Sequence, residues 1–261
     1  MTNKTRTCTV ATSAPAFTTV FFDVGNTLLT TAEEEGLVFC EEAARCGVHV
    51  GPDDVMREVP RMYQRYDELY SDDDSFWSDD ERAVRIWLDM YSYLCELLGV
   101  EESKHAQIAQ CVHRRYFTPE SWRPFDDVRE TLETLKAHGV RMGLISNWDS
   151  TLEGIINGIG LGHYFEVVVA STVVQLHKPM PEIFELALKG MGVAAEKCLH
   201  VGDHVVADVQ GARSVGITPV LIDRNGTLRA AAEPGTCVMT SLVELEDVVV
   251  HGWHGDAPAR S

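Results

Sequence analysis

Polar side chains that can carry out hydrolytic chemistry follow four separate apolar runs of this sequence. They are Asp23, the pair Ser146 and Asn147, Lys178, and the pair Asp203 and Asp208. A carboxylate such as Asp23 can act as a nucleophile and form an acyl intermediate, including an aspartyl phosphate. A second carboxylate nearby would suit Mg²⁺, which prefers oxygen ligands and binds substrate phosphate. A lysine and a hydroxyl group would offset the charge of a transferring phosphoryl group.

Each of these residues also has an ordinary structural explanation. An Asp at the end of a strand often caps a helix or forms a turn, and Ser-Asn after a strand is common in turns. A lysine before a proline is usually a solvated loop residue, and Asp208 alone would be a surface residue of a helix. The case for a site therefore depends on whether the fold brings these residues together.

The chain after residue 122 has the pattern of alternating strands and helices. Apolar runs at 140–145, 165–170, 198–201 and 218–222 predict strands, and helical periodicity fills the segments between them. An earlier aromatic and β-branched strand, 18–24, ends at Asp23, and Gly25-Asn26 supplies a turn. This alternation indicates a doubly wound parallel sheet, in which ligands bind at the carboxyl ends of the strands. The four groups are therefore predicted to converge on one edge of one sheet.

The segment 33–122 shows helical periodicity only, so it is predicted to form a separate, all-helical cap domain. Within it, Pro60 predicts a kink or break in the second helix, and Ser78-x-x-Glu81 has the form of a capping box that opens the third. The predicted architecture is an α/β core over 17–32 and 123–250, the inserted cap, and tails at 1–16 and 251–261.

Composition narrows the range of partners. The chain has 261 residues and a net charge of −18, with no cluster of Lys and Arg, which argues against a nucleic-acid partner. No apolar run approaches the roughly 18 residues that a membrane span needs. Seven scattered cysteines without a CxxC pair favour reduced thiols and a cytoplasmic location. The sequence makes no prediction about oligomeric state.

Four motifs in a fixed order make the sequence similar to the haloacid dehalogenase-like (HAD) hydrolases. They are FFDVGNTLL at 21–29, LISNWD at 144–149, HKPMPEIF at 177–184 and HVGDHVVADVQGA at 200–212. The chain most resembles the subfamily with a helical cap after the first motif, and within it the branch called hydrolase domain-containing 3. The resemblance implies a Rossmann-like core, a small phosphorylated substrate and Mg²⁺ as the cofactor.

The same resemblance implies a role for each candidate residue. Asp23 would be the nucleophile and a metal ligand, and the main-chain carbonyl of Gly25 and the carboxylate of Asp203 would complete the metal site. Lys178 would neutralise Asp23 and the transferred group, and Asp208 would orient Lys178 or a metal-bound water. The remaining contacts to the substrate's phosphoryl oxygens would come from Ser146, the amide at Asn147, and Thr27.

Gly25 departs from the phosphatase pattern, because most phosphatases of this superfamily have there a second Asp that serves as general acid and base. Its loss would remove a contribution of ~10²–10⁴-fold. This predicts slow phosphatase action, a need for good leaving groups, or a substitute proton donor such as His204 or a side chain of the cap.

Two other functions stay open on the sequence alone. The 2-haloacid dehalogenases of the superfamily also lack the second Asp, because halide departure needs no proton. These enzymes need no metal, however, and the sequence keeps Asp203, the carboxylate that metal-dependent members use. Asp203 therefore favours phosphoryl transfer. The chain could also be a weakly active member that binds a phosphorylated metabolite or a partner protein, although the Asp23–Lys178 pair argues against a purely binding role.

Overall fold

Six parallel strands form one sheet in the computed structural model, which describes residues 15–253. The strands lie in the order β5-β4-β1-β6-β7-β8. Their bounds are β1 Thr19–Phe22, β4 Arg141–Ser146, β5 Val167–Ala170, β6 Cys198–Gly202, β7 Thr218–Ile222 and β8 Cys237–Met239; two further strands, β2 Leu29–Thr31 and β3 Trp122–Pro124, form an antiparallel ribbon. The predicted doubly wound α/β fold is confirmed.

The central strand β1 is apolar on both faces, as a strand in the middle of a parallel sheet requires. Its residues alternate between the two layers, so that Val20 and Phe22 join one hydrophobic cluster and Phe21 joins the other. Phe22 lies opposite Leu144 of β4 and Val201 of β6, which brings the ends of all three strands to the same level. This register positions the residues that follow the strands.

Helices cover both faces of the sheet. Helices α5 (Val128–Ala137), α6 (Leu152–Gly158) and α10 (Leu245–His251) contribute to the cluster on one face. Helices α8 (Pro181–Met191) and α9 (Gly211–Ser214) contribute to the cluster on the other, and the short helix α7 (Ser171–Val174) follows β5. A π-helical turn, Val205–Gln210, leads from β6 into α9. The sequence predicts an ordinary helix there, and such wide turns are frequent at functional sites.

Between β2 and β3 the chain is helical, as predicted. The helices are α1 Glu35–Arg45, α2 Pro52–Asp72, α3 Asp80–Leu97 and α4 Glu102–Arg115. They share a hydrophobic cluster of their own, which includes Phe39, Met62, Met90, Leu94 and Ile108. The ribbon of β2 and β3 joins the two ends of this insertion to the sheet. The domain bounds given above stay a prediction.

Some local predictions are wrong. Helix α3 begins after Asp79, whose side chain accepts a hydrogen bond from the amide of Arg82, so that the cap is Asp79 and not Ser78. Helix α2 continues through Pro60, so the predicted break is absent there, and the alternative of a kink stays a prediction. The sequence also gave no sign of β8 or of the ribbon, because strands of three residues are too short to show periodicity.

Among the described residues, no helix combines the length and apolar character needed to cross a membrane. Six cysteines lie in this part of the chain and all are free thiols, while Cys8 lies outside it.

Candidate active site

Asp23 lies directly after β1, at the edge of the sheet where the predicted site residues meet. Ser146, the last residue of β4, donates a hydrogen bond from Oγ to Asp23 Oδ1 at 2.9 Å. Asp203 follows β6 on the other side of β1. One carboxylate oxygen each of Asp23, Asp203 and Asp208 lie within 4.8 Å of one another. The predicted convergence of strand ends therefore occurs.

Lys178 joins two of these carboxylates. Its Nζ donates to Asp23 Oδ1 and to Asp208 Oδ1, each at 2.6 Å, and only 2% of the residue is exposed. Burial would lower the pKa of Lys178, but the charges of Asp208 and Asp23 outweigh it and raise the pKa above its ordinary value. Lys178 is therefore held as a buried ammonium group beside the nucleophile candidate.

Asn147 fixes the backbone at this lysine. Its side-chain oxygen accepts a hydrogen bond from the amide of Lys178 at 2.7 Å, and its Nδ2 donates to the carbonyl of Lys178 at 3.0 Å. These two bonds tie the loop after β4 to the loop before α8. The side chain of Asn147 thus positions Lys178, whereas the predicted contact with a substrate concerns its main-chain amide.

Both carboxylate oxygens of Asp208 accept hydrogen bonds from the protein. Its Oδ1 accepts from Lys178 and from Nε2 of His200 at 2.9 Å, and its Oδ2 accepts from the amide of His204 at 3.0 Å. Burial would raise the pKa of Asp208, but the charge of Lys178 and the bond from His200 bring it far below its ordinary value. Asp208 is therefore an ionised group that orients Lys178, and its bonds leave it less free than Asp23 to bind a cation.

Two neighbours on β6 make this position of Asp208 possible. His200 is fully buried, burial lowers its pKa, and its neutral ring donates to the carboxylate. At Gly202 an added β-carbon would lie 2.1 Å from Cγ of Asp208, so no larger residue fits there. The packing against Asp208 therefore requires glycine at position 202.

Asp203 has no basic partner among the described residues. Burial, followed by the charges of Asp23 and Asp208, raises the pKa of Asp203 to about 8. Three carboxylates and one ammonium group leave excess negative charge in a buried place. Such a set of hard oxygen donors fits a divalent cation of the Mg²⁺ type. The carbonyl of Gly25, which receives no hydrogen bond from residues 15–253, is a further oxygen in the same loop.

Thr27 does not reach this group. The turn at Asn26, where φ is 53°, sends Thr27 into the interior, where it is fully buried and its Oγ1 has no hydrogen-bond partner. Its carbonyl accepts a hydrogen bond from Nη2 of Arg224 at 2.6 Å. Because Thr27 does not line the cavity described below, its role in substrate binding stays a prediction.

The space beside Gly25 is covered by Trp148. A β-carbon added to Gly25 would lie 3.6 Å from Cζ3 of this indole ring, and that ring packs against Trp122 with centroids 4.7 Å apart. Gly25 itself offers no acid or base, so the predicted loss of an acid–base side chain at this position stays a prediction. Trp148 lies within the second motif, but nothing in the sequence shows that it turns toward Gly25.

His204, one predicted substitute for the second Asp, is held by the backbone. Its Nδ1 accepts a hydrogen bond from the amide of Ala207 at 3.0 Å, at the start of the π-helical turn. His204 thereby caps the first turn of this segment, and its Nδ1 is engaged with the backbone rather than directed at the site.

A cavity of about 520 Å³ lies above Asp23 and is bounded by the sheet edge and the inserted helices. Aromatic side chains of the insertion form much of its wall, and Tyr66, Trp87 and Tyr91 stack in series with centroids 5.5 and 6.2 Å apart. Tyr70 lies 5.4 Å from the ring of His204, and its buried hydroxyl has no hydrogen-bond partner within residues 15–253. The sequence marks these rings as aromatic but does not show which of them face the site.

Comparison with known proteins supports the same family. A family model described as haloacid dehalogenase-like hydrolase matches residues 17–216. The chain is 31% identical over 234 residues to haloacid dehalogenase-like hydrolase domain-containing protein 3 of Danio rerio, which covers 89% of this chain and 96% of that protein.

Two other relatives have different named activities. A glyceraldehyde 3-phosphate phosphatase of Methanothermobacter thermautotrophicus is 36% identical over 39% of this chain and 45% of its own length. The (S)-2-haloacid dehalogenase 2 of Pseudomonas sp. is 26% identical over 62% of this chain and 69% of its own length. Among solved structures, the HAD-hydrolase YfnB of Bacillus subtilis has a TM-score of 0.70 and 20% identity, over 89% of this chain and 98% of that one, which is a likeness of fold.

Proposed function

This chain belongs to the haloacid dehalogenase-like hydrolase family, and we propose that it is a Mg²⁺-dependent phosphatase that attacks a small organic phosphate with Asp23. The observation that carries the proposal is the placement of Asp203 beside the pair of Asp23 and Lys178. A hydrolase that needed no metal would gain little from a partly buried second carboxylate that has no basic partner among the described residues, because removing such a charge from water costs free energy.

The donor set suits the metal and suggests its ligands. Asp23 offers Oδ2, since Oδ1 is bound by Ser146 and Lys178, and Asp203 and the carbonyl of Gly25 complete the set. We assign Asp208 to the orientation of Lys178 because both of its oxygens already accept hydrogen bonds. Bound Mg²⁺ would neutralise this cluster and polarise the phosphoryl group of the substrate.

Catalysis would proceed by two displacements at phosphorus. A carboxylate oxygen of Asp23 attacks the phosphorus atom, and the bond from phosphorus to the alcohol oxygen breaks. Lys178, at hydrogen-bond distance from Asp23, offsets the charge that develops on the phosphoryl oxygens, and Ser146 donates a further hydrogen bond. Water then attacks the phosphorus of the aspartyl phosphate, which releases phosphate and restores the carboxylate.

The departing alcohol oxygen takes its proton from water, because Gly25 has no side chain that could supply one. We assign the hydrogen bond to the leaving oxygen to Tyr70, a side chain of α2 whose buried hydroxyl has no other partner. Burial, and after it the charges of Asp74, Asp208 and Asp23, raise the pKa of Tyr70 well above its ordinary value. The hydroxyl therefore stays protonated and can donate, which supports a slow reaction that favours good leaving groups.

The dehalogenase alternative keeps one supporting observation, the missing proton donor at Gly25. The cavity argues against it. The carboxylate of a 2-haloacid would need a basic side chain to bind it. Among the described residues that line the cavity, Lys178 is the one lysine or arginine, and it already forms ion pairs with Asp23 and Asp208.

We further propose that the segment 33–122 acts as a cap that limits substrates to small molecules, since its helices form the wall of the cavity. The core would then comprise 17–32 and 123–250. A cytoplasmic location stays a prediction.

Hydrolysis of p-nitrophenyl phosphate tests this function directly. We expect turnover that is abolished by EDTA, restored by Mg²⁺, and lost in Asp23→Asn. Asp53→Asn, an exposed carboxylate on α2 outside the cavity, is the matched control and should retain turnover. Halide release from 2-chloropropionate without metal would establish the dehalogenase function instead, and binding of phosphate esters with neither reaction would leave a binding protein.

A further inference from the structure

The charges that line the cavity give it a chemical character that selects its occupant. Its acidic lining residues are Glu35 on α1, Asp67 on α2 and Asp149 in the loop after β4, in addition to the three aspartates of the site. Among the described lining residues, Lys178 supplies the one lysine or arginine side chain, and its charge is taken up by Asp23 and Asp208. Anionic groups beyond the reacting phosphate would be repelled here.

Glu35 stands out among these acids because aromatic hydroxyls hold it in the cavity wall. Its Oε2 accepts a hydrogen bond from Tyr63 at 2.9 Å, and its Oε1 accepts one from Tyr91 at 3.4 Å. No lysine, arginine or histidine forms an ion pair with it in the part of the chain that the structure describes. A carboxylate held in this way, with two oxygens fixed and no counter-ion, is complementary to a cation.

Aromatic rings surround the same position. Tyr91 stacks on Trp87 at a centroid distance of 6.2 Å and lies nearly parallel to Tyr116 at 6.4 Å. All three rings line the cavity. Aromatic faces attract ammonium ions through their quadrupole, and this attraction grows when the cation is removed from water. The hydroxyl of Tyr116 is buried and finds no hydrogen-bond partner in the described part of the chain, so the wall also has a polar atom that a ligand could engage.

We propose that the substrate is a phosphate monoester whose alcohol carries an alkylammonium group, bound between the carboxylate of Glu35 and the accessible parts of the Trp87 and Tyr116 rings, while the buried ring of Tyr91 supports them and holds Glu35. This inference rests on the proposed phosphatase function and adds the class of leaving group. The phosphoryl group would lie at Asp23, and the ammonium group would extend into the aromatic part of the cavity. The arrangement excludes bisphosphates and phosphorylated acids as good substrates, because their second anion would face Glu35.

Two probes of almost equal shape isolate the charge. Choline phosphate carries a trimethylammonium group, and 3,3-dimethylbutyl phosphate carries a neutral group of the same size. We expect the wild-type protein with Mg²⁺ to favour choline phosphate by about tenfold or more in kcat/KM. Glu35→Gln should bring this ratio close to one. Glu34→Gln removes the same charge from the neighbouring exposed residue, outside the cavity, and should keep the ratio of the wild type.

Calorimetric binding of the two free alcohols, choline and 3,3-dimethyl-1-butanol, separates this inference from the proposed function. The cation site predicts tighter binding of choline, and a loss of that preference in Glu35→Gln, whether or not the protein turns over any phosphate. If p-nitrophenyl phosphate is hydrolysed but neither the turnover ratio nor the binding ratio favours the cation, the function stands and the ammonium site is wrong. A preference for 3-phosphoglycerate over choline phosphate would also overturn it.

Discussion

The indole ring of Trp148 stands 3.6 Å from the place that a β-carbon on Gly25 would occupy. These two residues belong to different motifs, and the indole ring is in van der Waals range of any side chain that would start at position 25. In the proposed mechanism, Trp148 therefore limits how far a longer side chain at this position could extend.

Restoring the carboxylate should succeed only when the ring is removed. Gly25→Asp alone leaves the new side chain against Trp148, so we expect less than a tenfold gain in kcat for alkyl phosphates, which have poor leaving groups. With Trp148→Ala in addition, the gain over Trp148→Ala alone should reach ~10²-fold. Gly25→Asn with Trp148→Ala is the matched control and should show no gain, because an amide cannot supply the proton. A full gain from Gly25→Asp alone would show that Trp148 does not limit this position.

The hydroxyl of Tyr70 should contribute most to kcat for substrates whose leaving oxygen is strongly basic. Tyr70→Phe removes the unpartnered hydroxyl and should lower kcat for an alkyl phosphate about tenfold, with little effect on p-nitrophenyl phosphate. Tyr66→Phe, one turn earlier on α2, is the control, because its hydroxyl already accepts a hydrogen bond from Trp77. Equal losses on both substrates would assign Tyr70 to packing instead.

Asp208 should prove necessary for both stability and rate. Asp208→Asn leaves the buried Lys178 with one carboxylate instead of two, so we expect a loss of about 3 kcal/mol in the free energy of unfolding by urea. The rate on p-nitrophenyl phosphate should fall because Lys178 is no longer held toward Asp23. Asp247→Asn, at a side chain 89% exposed, should change stability by less than about 0.5 kcal/mol. A stable and fully active Asp208→Asn protein would contradict the role given to this residue.

Magnesium binding should depend on pH through Asp203. The metal-free folded protein keeps a proton on Asp203 up to its pKa of about 8, whereas the unfolded chain releases it near 3.8. The folded state thus holds more protons in this window, and the stability of the metal-free protein should fall as pH rises through it. Mg²⁺ must displace that proton, so its affinity should rise about tenfold per pH unit below pH 8 and then level off. Calorimetry in buffers of different ionisation enthalpy would measure the released proton, and Asp203→Asn should abolish its release.

The convergence of the site could be predicted from the sequence because parallel strands bring their carboxyl ends to one edge. Asp23, Ser146, Lys178 and Asp208 meet as expected for this reason. Thr27 could not be placed in the same way, because the left-handed turn at Asn26 decides whether the following residue faces the cavity or the core.

The residues that hold the site residues in place could not be predicted from the sequence. In the sequence, His200 and Gly202 are ordinary residues of a buried strand. The packing shows that His200 donates a hydrogen bond to Asp208 and that Gly202 leaves room for its carboxylate. Likewise, Glu35 reads as an acidic residue in the first turn of a helix, which is common at any helix start. Its position in the cavity wall depends on how α1 packs against α2 and α4, which brings Glu35 within reach of Tyr91 on α3.

The central claim is that Asp23 becomes phosphorylated during turnover. Mixing the protein with Mg²⁺ and p-nitrophenyl phosphate, quenching with acid within one turnover, and mapping peptides by mass spectrometry would test it most directly. We predict one phosphoryl group on the peptide that contains Asp23 and none in Asp23→Asn. Release of p-nitrophenol without a phosphorylated Asp23, or with the phosphoryl group on another residue, would contradict this account.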